Sequence, residues 1–171
     1  MLAHNLIVEY LLQFGPIFLF LALVLGIVWL PIPDETLLVS AGYLAAHHQI
    51  NLPLTVLSAW AGSMTGITIS YLLGRLVGKW IIKHYGPALN LTPENIAKVQ
   101  SWFSKFGKWS LTLGYFVPFF RHLIGFIAGG SKLDYRLFAL YAYSGAIIWS
   151  STFFALGYYL HPFYNTLFHR T

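Results

Sequence analysis

Two long charge-free runs dominate the pattern along the chain. Leu54 to Gly74 and Leu137 to Leu160 contain no Asp, Glu, Lys or Arg. As helices, each is long enough to cross a hydrocarbon core that needs about 20 residues. Both are apolar on every face, which suits lipid surroundings better than a soluble core. The remaining apolar pieces are shorter and broken. Leu11 to Leu30 runs into Pro31-Ile32-Pro33-Asp34-Glu35, and Leu37 to Ala46 follows, too short to span. Later, Trp109 to Val117 runs into Pro118, then Arg121, then a short apolar piece ending at Gly130. Apolar pieces of about 10–14 residues predict re-entrant or buried segments.

The two broken regions match position by position. Pro31-x-x-Asp34 precedes Ala41-Gly42, and Pro118-x-x-Arg121 precedes Ala128-Gly129 at the same spacing. Each leads into a long helix, and these match as well. Leu57-x-Ala59-Trp60-x-Gly62 is followed twelve residues on by Gly74, and Leu140-x-Ala142-Tyr143-x-Gly145 twelve residues on by Gly157. This predicts an internal repeat, about residues 11–80 and 109–160, joined by a linker at about 81–108. A re-entrant hairpin adds no crossing and the helix after it adds one, so the second half runs opposite to the first. The predicted fold class is an all-α integral membrane protein with an inverted-topology repeat, each half a re-entrant helical hairpin plus one transmembrane helix. The alternative is an ordinary four-helix bundle with a kinked third helix, since uncharged Leu11 to Pro33 is itself long enough to span.

Basic residues set the orientation. Arg75, Lys79, Lys83, Lys98, Lys105, Lys108, Lys132 and Arg136 fall on one side under this topology, and Arg170 falls on the other. Short loops rich in Lys and Arg face the cytoplasm, so the linker is cytoplasmic and the first hairpin enters from outside. Within the linker, Thr92-Pro93-Glu94 reads as a helix start. The residues after it mix Ile96, Val99, Trp102 and Phe103 with Lys98 and Lys105, the pattern of an amphipathic interfacial helix.

Composition agrees. The 171 residues are 57% hydrophobic and 9% charged, where a soluble domain carries about a quarter charged. Without cysteine, thiolate metal sites and disulfides are excluded. The net charge of +5 is small and dispersed, which points to anionic headgroups rather than nucleic acid. The first residues, MLAHNLIVEY, lack the basic start of a removable signal peptide. No nucleophile elbow, P-loop or HExxH pattern occurs, and His47-His48 are adjacent rather than four apart. Neither an enzyme, a metal site nor a cofactor is expected.

Chemistry concentrates at the breaks. Asp34 and Glu35 sit between apolar stretches, where an ionisable group by default marks a substrate or proton path; one of them alone reads equally well as a helix cap. Arg121 lies among Phe119, Phe120, Leu123 and Ile124 and cannot readily shed its charge. Its fork suits bidentate phosphate recognition, and a salt bridge to Asp34 or Glu35 is compatible with that role. His122 adds a proton carrier or a capping group. Gly62, Gly66, Ser70, Gly74 and Gly78 form a small-residue row for close helix packing.

These stretches resemble the DedA family of membrane proteins, also called the SNARE-associated or VTT-domain family. The resemblance rests on Pro31-Ile32-Pro33-Asp34-Glu35 with Ala41-Gly42, on Gly62-x-x-x-Gly66-x-x-x-x-Tyr71-x-x-Gly74-Arg75-x-x-Gly78, and on Phe116-Val117-Pro118-x-x-Arg121 with Ala128-Gly129. It covers about residues 15–160. It implies two opposed re-entrant hairpins and a lipid-translocating role, in bacterial members the return of undecaprenyl phosphate or movement of phosphatidylethanolamine across the cytoplasmic membrane, with proton coupling in some. The chain departs from the family pattern at Gly26 and Ile67, where acids are usual, and at Tyr115, where an arginine is usual. The expected partners are membrane lipids, with an anionic lipid phosphate as substrate held by Asp34, Glu35, Arg121 and His122. Arg75 and Lys79 are secondary phosphate candidates. A homo-oligomer is compatible with this reading.

Overall fold

A computed structural model describes residues 2–28, 33–85 and 92–168, and among these there is helix but no strand. The order is α1 (Leu2–Val28), α2 (Asp34–Ala46), α3 (Leu52–Tyr85), α4 (Pro93–Phe106), α5 (Trp109–Leu113), a single 3₁₀ turn at Gly114–Phe116, α6 (Pro118–Gly130) and α7 (Tyr135–Phe168). Among the described residues, three stretches are long and apolar enough to cross a membrane: Tyr10–Ile27, Leu52–Gly78 and Tyr135–Leu160. Helices α2 and α6 have 13 residues each. At 1.5 Å per residue they reach about 20 Å, short of the ~30 Å core.

Helix α1 is interrupted. Gly15 has φ 54° and ψ −133°, a conformation outside the helical region, immediately before Pro16. Glycine adopts it without a Cβ penalty, and the proline cannot donate to the preceding turn. The apolar stretch expected at Leu11 to Leu30 is thus, as far as Val28, two helical pieces meeting at Gly15. The second apolar arm is broken too. Trp109 to Val117 divides into α5, the 3₁₀ turn and an extended Val117 (φ −105°, ψ 106°). A residue before proline is pushed out of the helical region, and Pro118 then opens α6. Helix α4 starts at the expected Thr92-Pro93-Glu94 signal, and Lys98 pairs with Glu94 one turn on at 2.7 Å. That hydrogen bond holds the Glu94 carboxyl below its ordinary range.

Packing follows the glycines. A β-carbon on Gly74 would overlap the carbonyl oxygen of Phe126, and one on Gly129 would overlap that of Tyr71, so α3 and α6 touch backbone to backbone. At the positions the repeat matches to these, Gly157 meets the carbonyl of Val39 and Gly42 meets that of Phe154, joining α7 to α2 in the same way. Helix α6 therefore lies on α3, and α2 lies on α7. The row on α3 serves two neighbours. Gly62 and Gly66 abut Phe20, Leu23 and Ile27 of α1, while Gly74 and Gly78 abut Phe126 of α6. The buried Ser70 lies between, its hydroxyl close to Gly125 of α6. Two helices share one row because α1 ends, and α6 begins, beside its middle.

Candidate functional site at the helix breaks

The last described turn of α1 lies beside Gly66, near the centre of the Leu52–Gly78 stretch. There the N-terminal turns of α2 and α6 face each other. Asp34 and Glu35 are the first two residues of α2, where carboxylates oppose the positive end of the helix dipole favourably. Arg121 is the fourth residue of α6, its backbone N–H donating to the Val117 carbonyl at 3.1 Å. A cation in a helix's first turn is disfavoured, so Arg121 needs an external counter-charge.

It has two. Arg121 Nη1 donates to Glu35 Oε1 at 2.7 Å, and Nη2 lies 3.3 Å from Asp34 Oδ2. The guanidinium also stacks on Trp149 of α7, its central carbon 4.6 Å from the ring centroid, a favourable cation–π arrangement. Asp34 is 0% and Arg121 2% exposed, whereas Glu35 keeps 30% of its side chain accessible. The two acids thus differ in freedom: Asp34 is enclosed, and Glu35 can leave. Hydrogen bonding is incomplete. Among the described residues, both Asp34 carboxylate oxygens and Arg121 Nε are buried without a hydrogen-bond partner. Buried polar groups are rarely left so, and they mark a place where a further donor or acceptor fits.

The surrounding residues fit closely. Gly26 leaves its space to the Asp34 carboxylate, which a β-carbon there would overlap. The His122 ring is set against the backbone of Gly26 and Ile27, within range of the Arg121 and Glu35 charges. Tyr115 is fully buried, donates to the Ser63 carbonyl at 3.3 Å, and packs near Trp149 with ring centroids 5.9 Å apart. Ile67 is buried against Gly125 of α6. The positions of the usual family acids and arginine therefore hold a gap for Asp34, a tyrosine tied to α3, and an apolar contact.

Of the sequence-predicted residues, Asp34, Glu35, Arg121 and His122 come together. Pro33 ends the break just before Asp34. Pro31 lies outside the described residues, as do the side chains of Pro118 and Lys79. Arg75 lies apart, at the far end of α3: its Nη1 donates to the Tyr71 hydroxyl at 2.5 Å and to the Leu133 carbonyl at 3.3 Å, tying α3 to the α6–α7 turn. Trp149 was not anticipated. The repeat pairs it with Gly66, and nothing in its apolar neighbourhood signals a cation partner.

A helical membrane fold with short helices that begin at a buried acid–arginine cluster defines a class of membrane-embedded, lipid-facing protein. The VTT domain matches residues 32–159, and the chain belongs to this family, the DedA family. It is 37% identical over 153 residues to the uncharacterized membrane protein YbfM of Bacillus subtilis, covering 90% of this chain and 94% of that one. It is 29% identical to protein DedA of Escherichia coli K12, covering 91% and 72%. It is 25% identical to undecaprenyl phosphate transporter A of Staphylococcus aureus, covering 90% and 78%. No solved structure matches.

Proposed function

We propose that this chain carries a phosphate-bearing lipid across the bacterial cytoplasmic membrane, with a polyprenyl phosphate of the undecaprenyl type as substrate. The observation that carries this reading is Arg121, buried at the helix breaks between Asp34, Glu35 and Trp149. A phosphomonoester offers its fork more charge than a zwitterionic headgroup does. With both acids ionised the cluster is net negative, so phosphate enters only when one acid is displaced or protonated. Glu35, partly exposed, is the partner that exchanges. Asp34, whose oxygens lack hydrogen-bond partners among the described residues, is the group to take a coupling proton, with His122, set near Glu35 and Gly26, as relay.

The scaffold in this proposal is two re-entrant hairpins of opposite sense. The ending of α1 beside the middle of α3 supports it, as do the similar backbone contacts made by the matched positions Gly42 and Gly129, and Gly74 and Gly157. The lipid tail stays in the bilayer while the headgroup passes the hairpin tips. The transporter relative from S. aureus supports the substrate class. Reconstitution in vesicles with a fluorescent polyprenyl phosphate tests it. Arg121→Lys keeps the charge and loses the fork, and transport should fall at least tenfold with the protein still inserted. Full activity would remove Arg121 from binding.

A second reading has its own support, because Arg121 is already well held by Asp34, Glu35 and Trp149. In that reading the cluster is a structural clasp in a non-transporting scaffold. Exchanging Glu35 and Arg121 separates the two: a scaffold keeps its stability and role, and a phosphate carrier loses transport.

A further inference from the structure

We infer a second lipid site, at the opposite end of α6 from Arg121, which holds the headgroup of an anionic glycerophospholipid. A groove of about 430 Å³ lies between the ends of α3 and α6 and the start of α4. Among the described residues its charged lining is Arg75 and Lys132, Ser131 lies next to Lys132 in the wall, and no acid lines it. The rest of the wall is apolar, with Leu76 77% and Trp80 55% exposed. The groove straddles the point where the Leu52–Gly78 stretch ends, the depth at which headgroups and tryptophan side chains meet. A soluble phosphate would satisfy the cations but leave these apolar walls in water; a lipid satisfies both.

The two cations are set for this task. Arg75 spends Nη1 on the Tyr71 hydroxyl and the Leu133 carbonyl, which fixes the guanidinium and leaves its other donors for a ligand. Lys132 sits in the turn after α6 with φ 55°, and its N–H donates to the Gly129 carbonyl at 2.9 Å while that of Leu133 donates to Ala128 at 3.1 Å. This is the helix-ending position where glycine is strongly preferred, since a side chain in the left-handed region is strained. A cation near a helix C-terminus is favourable but does not require that strained position. The nearest acid in sequence, Asp134, is engaged elsewhere, capping α7 through the N–H groups of Arg136 and Leu137. Lys132 has no acidic partner among the described residues.

The inference does not depend on transport, and its test reads binding alone. The purified full-length protein is titrated with dioleoyl phosphatidylglycerol or dioleoyl phosphatidylcholine, and bound lipid is counted by native mass spectrometry. One phosphatidylglycerol should be retained with about tenfold preference over the zwitterionic lipid. Lys132→Gly should lower that retention several-fold while thermal stability holds or rises, because glycine suits the turn. Arg75→Gln should lower it as well, and Arg121→Lys should leave it unchanged. Excess inorganic phosphate should not displace the lipid. Equal retention of the two lipids, unchanged retention in Lys132→Gly, or loss that follows Arg121 instead would overturn the inference.

Discussion

Gly26 lies directly against the Asp34 carboxylate, with no room for a β-carbon between them. The absence of a side chain on α1 thus sets where the first residue of α2 can point, and so whether Asp34 reaches Arg121. In Gly26→Ala the carboxylate must swing away from the guanidinium. A loss of about 1–3 kcal/mol is expected, as for overpacking elsewhere. Gly26→Glu should act more strongly, adding a like charge beside Asp34. Thermal melting in detergent measures both, and a Gly26→Ala protein as stable as the parent would place Asp34 elsewhere.

The ion cluster should behave as one unit. Removing one member of a buried pair costs about 3–5 kcal/mol, because the other is left uncompensated. Arg121→Ala and Asp34→Ala should each lower stability in this range, and the double variant should be no worse than either single. Glu35→Ala should cost less, since its side chain is 30% accessible and retains water. Strictly additive losses would mean that the two helix tips are energetically independent.

Matched glycines should give matched penalties. Gly74→Ala and Gly157→Ala each push a methyl into a carbonyl oxygen, one on α6 and one on α2. Backbone cannot yield as a flexible side chain does, so both should destabilise by about 1–3 kcal/mol. Gly78→Ala is the control, as its β-carbon would sit an ordinary 3.6 Å from the Phe126 ring. It should be close to neutral. Comparable melting temperatures for all three would contradict the close approach of α3 to α6 and of α7 to α2.

Accessibility to a membrane-impermeant thiol reagent checks topology, and the cysteine-free chain needs no prior substitution. Asn51 lies in the turn before α3, and Asn95 lies in α4 past its far end. Cysteines at the two positions should label from opposite sides of the membrane, with Asn95 cytoplasmic. Labelling from the same side would rule out a single crossing by α3.

Much of this arrangement is legible in the sequence, because the strongest constraints are local. Two prolines with an ionisable residue three positions on, followed by Ala-Gly, align Asp34 with Arg121 before any contact is known. Charge-free runs mark α3 and α7 because lipid tolerates no unpaired charge along a span. The Gly15-Pro16 dipeptide, a standing signal for a chain break, accounts for the interruption of α1, which hydrophobicity alone hides. Other features depend on the far side of the fold. That Arg121 engages both acids follows from how α2 is rotated about its axis, which periodicity does not encode. Trp149 breaks the repeat at the position of Gly66, so symmetry offered no template for it. Lys132 reads as one more cytoplasmic cation until its backbone angle shows the position that it holds.

The packing of α2 on α7 also bears on biosynthesis. Helix α2 rests on Phe154 and Gly157 of α7, a helix made long after it. Synthesis proceeds at about 5–20 residues per second, so this surface appears on the order of ten seconds after α2 itself. Through that interval the Asp34 carboxylate has no guanidinium to meet until Arg121 emerges, and the glycine face of α2 has only lipid against it. Until then α2 lacks the helix it packs on, so its docking onto α7 is a late step. A stop codon before α7 should yield a product that proteolysis removes, since what it lacks is the surface that the earlier half was shaped to fit.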